Sequence, residues 1–196
     1  MALLNTVDPT GLDEFSVVFT DRSLNHMSKT FQQVMLDIND MLKEVYNAQA
    51  VALIPGGGTY AMEAVARQFA RGANVLVVRN GWFSYRWSQI FESGGLTASS
   101  TVMKARQTGN SAPSPFTPAP IEEVVEAIRD QKPDVVFAPH VETAAGVILP
   151  DDYVTAMAAA AHGVGALMVL DCIASGCAWS DMEATGVDVL ISAPQK

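Results

Sequence analysis

Short apolar, β-branched runs alternate with stretches of helical period along most of this chain, and that alternation limits the fold more than any single motif does. Residues 50–54, 74–78, 96–103, 134–138, 166–170 and 187–191 read as strands, with 147–149 as a further short apolar run. Between them, 60–71, 82–92, 117–130 and 151–162 carry helical spacing. A first amphipathic helix, Lys29–Tyr46, precedes the series, with Ser28 placed to cap it. Residues 1–15 read as an irregular arm and 16–20 as a short β-type run. Strands joined through helices lie parallel, so the expected fold is α/β, a mainly parallel central sheet covered by helices on both faces. The domain division implied is an N-terminal arm and helix over 1–49 and a large domain over 50–196.

In an open parallel sheet, ligands collect outside the carboxyl ends of the strands. Four such ends are rich in small or polar residues: 56–59, 80–86, 140–146 and 171–175. Asp171 closes one apolar run, and Lys196 follows another. Either residue alone is also what a solvated strand end or a surface lysine looks like. Together they are the pair that pyridoxal 5'-phosphate requires, a lysine for its aldehyde and a carboxylate for its pyridinium nitrogen. Gly56-Gly57-Gly58-Thr59 stands between a strand and a helix, where unpaired first-turn amides and the helix dipole favour a phosphate. A plain tight glycine turn fits the same residues. No Gly-Lys-Ser/Thr follows, and the spacing is not Gly-x-Gly-x-x-Gly.

The formal net charge is −9, and no basic stretch suits nucleic acid or a membrane surface. No apolar run reaches membrane-spanning length. The first residues lack a basic region followed by an apolar core, so a cytoplasmic protein is the expectation. Cys172 and Cys177 do not make a C-x-x-C pair, and His26, His140 and His162 are scattered, so no metal site is expected. The chain ends at Lys196 directly after a strand. That ending suggests a piece of a longer polypeptide, or a chain broken at a modified lysine.

Five segments in order, GGGTYAME (56–63), NGWFSYRW (80–87), HVETAAGV (140–147), LDCIAS (170–175) and SAPQK (192–196), resemble the class V aminotransferases. These belong to the fold-type I pyridoxal-phosphate enzymes, and the nearest resemblance is to the alanine- and serine-glyoxylate (or pyruvate) group. The resemblance runs from about residue 50 to 196. It implies the large domain of that fold, with the small C-terminal domain outside this chain. It implies that Lys196 forms the Schiff base and moves the proton, and that Asp171 pairs with the ring nitrogen. By the same resemblance Gly57, Gly58, Thr59 and Gln195 hold the phosphate. Phe83 stacks on the ring, with Trp82 an alternative, and Ile173 packs on the other face. Thr143 donates to the phenolic oxygen, and Arg86 matches a family arginine that can also serve only to support its loop.

The implied reaction passes an amine from a small amino acid to a 2-oxo acid such as glyoxylate or pyruvate, by a ping-pong route in a homodimer. The sequence departs from the family near its N-terminus, where Asp8-Pro9-Thr10-Gly11 stands in place of a Pro-Gly-Pro segment. Of the 12 Lys and Arg residues only Arg129, Lys132 and Lys196 lie beyond Arg106, so an arginine for the substrate carboxylate is expected outside the chain. The rival readings are a pyridoxal-phosphate lyase or cysteine desulfurase-like enzyme, a nucleotide-binding oxidoreductase, and a non-catalytic protein of the same fold.

Overall fold

Five parallel strands in the order β2-β1-β5-β8-β9 form the centre of the computed structural model, which describes residues 26–196. The expected arm at 1–15 and β-type run at 16–20 lie outside the described residues. The chain divides into units of residues 1–51 and 52–196.

In the first unit, α1 (Lys29–Tyr46) begins where Ser28 Oγ accepts from Phe31 N–H at 3.0 Å. It ends at Asn47, in the left-handed region at φ 49°, with Ala48 N–H on the Lys43 carbonyl at 2.9 Å.

The second unit runs α2 (Gly58–Phe69), β1 (Asn74–Arg79), α3 (Tyr85–Gly94), β2 (Ser99–Lys104), β3 (Arg106–Gln107) and β4 (Phe116–Thr117). It continues with α4 (Ile121–Gln131), β5 (Val135–Pro139), β6 (Val141–Glu142), β7 (Val147–Ile148), α5 (Asp151–Gly163), β8 (Leu167–Asp171), α6 (Met182–Thr185) and β9 (Val189–Ile191). Alternate strand residues point to opposite faces, and here each set meets its own helices. Leu76, Val78, Val136, Ala138, Met168 and Leu170 share a core with Val124 and Ile128 of α4 and Val154 and Met157 of α5. Val75, Val77, Val135, Phe137, Val169 and Ile191 share the other with Met62 and Ala66 of α2 and Trp87 and Phe91 of α3. Burial on both faces explains why the central strands read as continuous apolar runs.

Residues 50–54 correct the sequence expectation: they are irregular, and Leu53 and Ile54 are exposed. An apolar run becomes a strand only where a neighbour takes up its ladder of hydrogen bonds, which local pattern does not reveal. The 104–120 loop contains the β3–β4 hairpin, and 140–149 contains the antiparallel β6–β7 pair, Val141 opposite Ile148 and Glu142 opposite Val147. α3 starts at Tyr85, not at 82, because the Ser84 hydroxyl takes the Asn80 and Gly81 N–H groups and holds 81–84 as a turn. The short helix α6, capped by Asp181 Oδ1 on Ala184 N–H at 2.8 Å, has no long apolar period to announce it.

The strand order sets the site. β2 lies on one side of β1, while β5, β8 and β9 lie on the other. The order in which strands are added therefore reverses between β1 and β5, which places a crevice at their carboxyl ends.

Candidate active site

The loops after β1, β5, β8 and β9 and the start of α2 converge on one cleft of about 180 Å³. Thr59, Phe83, Thr143, Asp171, Ile173, Gln195 and Lys196 line it, seven of the nine residues singled out in the sequence. Gly57 and Gly58 stand beside it as the N-cap and first residue of α2. Met62, Arg86, Pro139, Val141 and Ala174 complete the wall. A larger cleft of about 440 Å³ lies between α4 and α5, lined by Arg129 and otherwise by Val, Ala and Gly residues. It gathers no converging polar groups, so chemistry belongs to the smaller cleft.

Each glycine of the turn has its own constraint. Gly56 has φ +137°, a conformation that only glycine adopts easily, and a Cβ there would lie 2.7 Å from Tyr60 Cγ. A Cβ on Gly58 would lie 2.7 Å from Ile173 Cδ1, whereas one on Gly57 would meet nothing within 4 Å. No side chain caps α2, and Tyr60 N–H turns to the Gly57 carbonyl at 2.9 Å, so an anion at the positive end of the helix dipole would meet the amides that precede Tyr60. Gly58→Ala is therefore expected to displace Ile173 and destabilise the fold by about 1–3 kcal/mol, while Gly57→Ala changes it by less than about 0.5 kcal/mol. Denaturant titration of the two variants checks this, and equal effects would contradict the close packing of Gly58 on Ile173.

Asp171 is 7% exposed at the end of β8. Its Oδ1 accepts from Ile173 N–H at 3.0 Å, and Oδ2 has no hydrogen-bond partner among the described residues. Burial pushes its carboxyl up to about 6; the nearby Glu142 charge pushes the same way, and the Ile173 N–H and Arg86 oppose it. A buried carboxylate held up in this way is stabilised by a cation placed against its free oxygen. That matches a pyridinium N–H, and the uncapped α2 amides match a phosphate, so the residues present fit pyridoxal phosphate.

Arg86 ties two parts of the wall together. Its Nη1 donates to Thr59 Oγ1 at 2.8 Å, and its guanidinium lies 5.9 Å from the centre of the Phe83 ring. His140 is buried, with Nδ1 2.7 Å from Ser175 Oγ, and burial lowers its pKa. Cys172, next to Asp171, is pushed up to about 12 by burial, which keeps it a thiol. Sequence reasoning missed Met62, whose signal was its place one turn past Gly58. It also gave no role to Glu142, which lies within the HVETAAGV segment and contacts the loop after β1 from 58 positions away.

Residues 14–196 match the family model described as aminotransferase class-V. The chain is 29% identical to the soluble hydrogenase small subunit of Synechococcus, covering 100% of this chain and 50% of that protein. It is 28% identical to alanine–glyoxylate aminotransferase of Rattus norvegicus, covering 89% and 40%. It thus spans about half or less of the length of these relatives. The crystal structure of ureidoglycine–glyoxylate aminotransferase from Bacillus subtilis superimposes with a TM-score of 0.73 at 22% identity, over 88% of this chain and 42% of that one. The likeness shows a shared fold, the parallel sheet and helices of the fold-type I large domain.

Proposed function

The chain belongs to the class-V aminotransferase family, and on that premise we propose that it carries the cofactor-binding half of a pyridoxal-phosphate aminotransferase site. The observation that carries this reading is the meeting of Asp171 and Lys196 in one cleft with the uncapped start of α2 beside it. Pyridoxal phosphate, when bound, supplies an aldehyde for the amine and a conjugated ring that accepts the electron pair released at the substrate α-carbon.

The chain's own residues do the rest. Lys196 Nζ holds the cofactor between turnovers, and afterwards takes the α-proton and returns it as general base and acid. Asp171 keeps the ring nitrogen protonated through its free Oδ2, which preserves the ring's pull on electrons. Gly57, Gly58 and Thr59 hold the phosphate at the head of α2, with Gln195 reaching the same group. Phe83 and Ile173 cover the two ring faces and exclude water. Thr143 donates to the phenolic oxygen, and Arg86 fixes Thr59 in place.

The proposed reaction moves an amine from a small amino acid to a 2-oxo acid such as glyoxylate or pyruvate, in two half-reactions, in a homodimer. The likeness to alanine–glyoxylate aminotransferase of Rattus norvegicus supports glyoxylate as the acceptor. Free Cys172 and Cys177 fit a reducing compartment such as the cytoplasm. Among the described residues no helix is long and apolar enough to cross a membrane. The full-length protein with pyridoxal phosphate is expected to convert glyoxylate to glycine only when an amino donor is present, and to complete the first half-reaction with the donor alone. Release of ammonia or sulfide from the donor without an acceptor would favour a lyase instead.

A further inference from the structure

Glu142 is a fully buried acid whose oxygens do not face the cleft but are saturated by two loops that do. Its Oε1 accepts from the backbone N–H of Phe83 and of Ala144, each at 3.2 Å. Its Oε2 accepts from the Ser84 N–H at 2.9 Å and the Ser84 hydroxyl at 2.7 Å. Ser84 Oγ in turn accepts from the N–H of Asn80 at 2.9 Å and of Gly81 at 3.1 Å. Two donors on each oxygen fill the carboxylate's acceptor capacity. The fit is close, since a Cβ on Gly81 would come within 2.7 Å of both Glu142 Cγ and Cδ.

Burying a carboxylate is costly unless donors replace its water, and a plain core position would be filled by an apolar side chain. The donors found here are specific. One is Phe83 itself, another follows Thr143 directly, and both Phe83 and Thr143 line the cleft. Glu142 thus spans the crevice where strand order reverses between β1 and β5, and joins the two loops that leave those strands.

We propose that Glu142 is a positioning residue, one carboxylate that locks the Phe83 loop to the Thr143 loop so that both side chains are set for the pyridoxal-phosphate ring. The inference rests on the cofactor reading of the cleft. Its charge also acts on Asp171, alongside the opposing Arg86 and the Ile173 N–H, with Lys196 lining the same cleft.

Glu142→Gln keeps the size but turns an amide NH2 toward N–H donors and removes the charge. In the full-length protein it is expected to weaken pyridoxal-phosphate binding, read by visible absorbance, about tenfold or more. It is expected to speed amide exchange at Phe83 and Ala144 in the cofactor-free protein, and to move the acid midpoint of cofactor binding to lower pH. Ser84→Ala removes the hydroxyl donor and keeps the charge. It is expected to weaken binding about threefold or more with the midpoint unmoved. If the wild type binds pyridoxal phosphate and Glu142→Gln binds it equally well with an unmoved midpoint, the positioning role is overturned while the cofactor reading stands. If Glu142→Gln does not fold, Ser84→Ala decides, and unchanged affinity there overturns the role. If the wild type takes up no pyridoxal phosphate, the cofactor reading falls and this inference falls with it.

Discussion

Lys196→Ala is expected to reduce amine transfer by about 10³-fold or more, because it removes the residue proposed both to anchor the cofactor and to carry the proton. The fold should survive, since Lys196 is exposed, lines the cleft and belongs to neither core cluster. The variant should also lack the visible absorbance expected of the cofactor-loaded wild type. Added small amines are expected to restore part of the rate, as a free base can replace a missing one that acted on a proton. A variant that kept more than a tenth of wild-type turnover would show that another group moves the proton.

The second large effect belongs to Asp171. Asp171→Asn should cut turnover by roughly 10²–10³-fold, the scale for removing one preorganised charge from a site. The carboxyl carries a pH signature as well. Its folded pKa, raised from 3.8 to about 6 by burial, means that the neutral acid is favoured in the fold. The cofactor-free protein is therefore expected to lose stability relative to Asp171→Asn as pH rises from about 4 through 6, by on the order of 3 kcal/mol. Cofactor affinity should run the opposite way and fall as pH drops below about 6, where the carboxylate is protonated. Thermal melts of both proteins across this window check the first statement and absorbance titrations check the second. Parallel curves for wild type and Asp171→Asn would contradict a buried, titrating carboxylate.

The parts of the site that could be read in the sequence are those set by position along a strand. Asp171 and Lys196 follow apolar runs, and Thr59 opens a helix after glycines, so one rule about strand ends brings all three to one edge. The parts that could not be read depend on partners far away. Residues 50–54 have the composition of a strand but no described ladder, and pairing is a property of the neighbour. Arg86 reaches Thr59 across 27 positions, and Glu142 reaches Ser84 across 58. Both side chains lie in segments that carry the family resemblance, but nothing local names the partner that each one reaches. The glycines show the same division. Gly56 is demanded by its own φ, which a turn suggests, whereas Gly58 and Gly81 are demanded by Ile173 and Glu142, which only the folded chain brings against them.

The helix boundaries make a related point. α3 begins three residues later than its apolar period suggests because Ser84 diverts two N–H groups into a turn. That same turn supplies three of the four donors on Glu142, so the local departure from helical pattern and the geometry of the Phe83 loop share one cause.

The proposed chemistry needs Lys196 to be the residue that takes the aldehyde. Borohydride reduction of the full-length, cofactor-replete protein, followed by peptide mapping, tests this directly. A single pyridoxyl-modified peptide containing the SAPQK segment is expected, with the mass addition on Lys196 and none after Lys196→Ala. A reduced adduct on Lys104, Lys132 or another lysine, or no adduct at all with cofactor present, would contradict it.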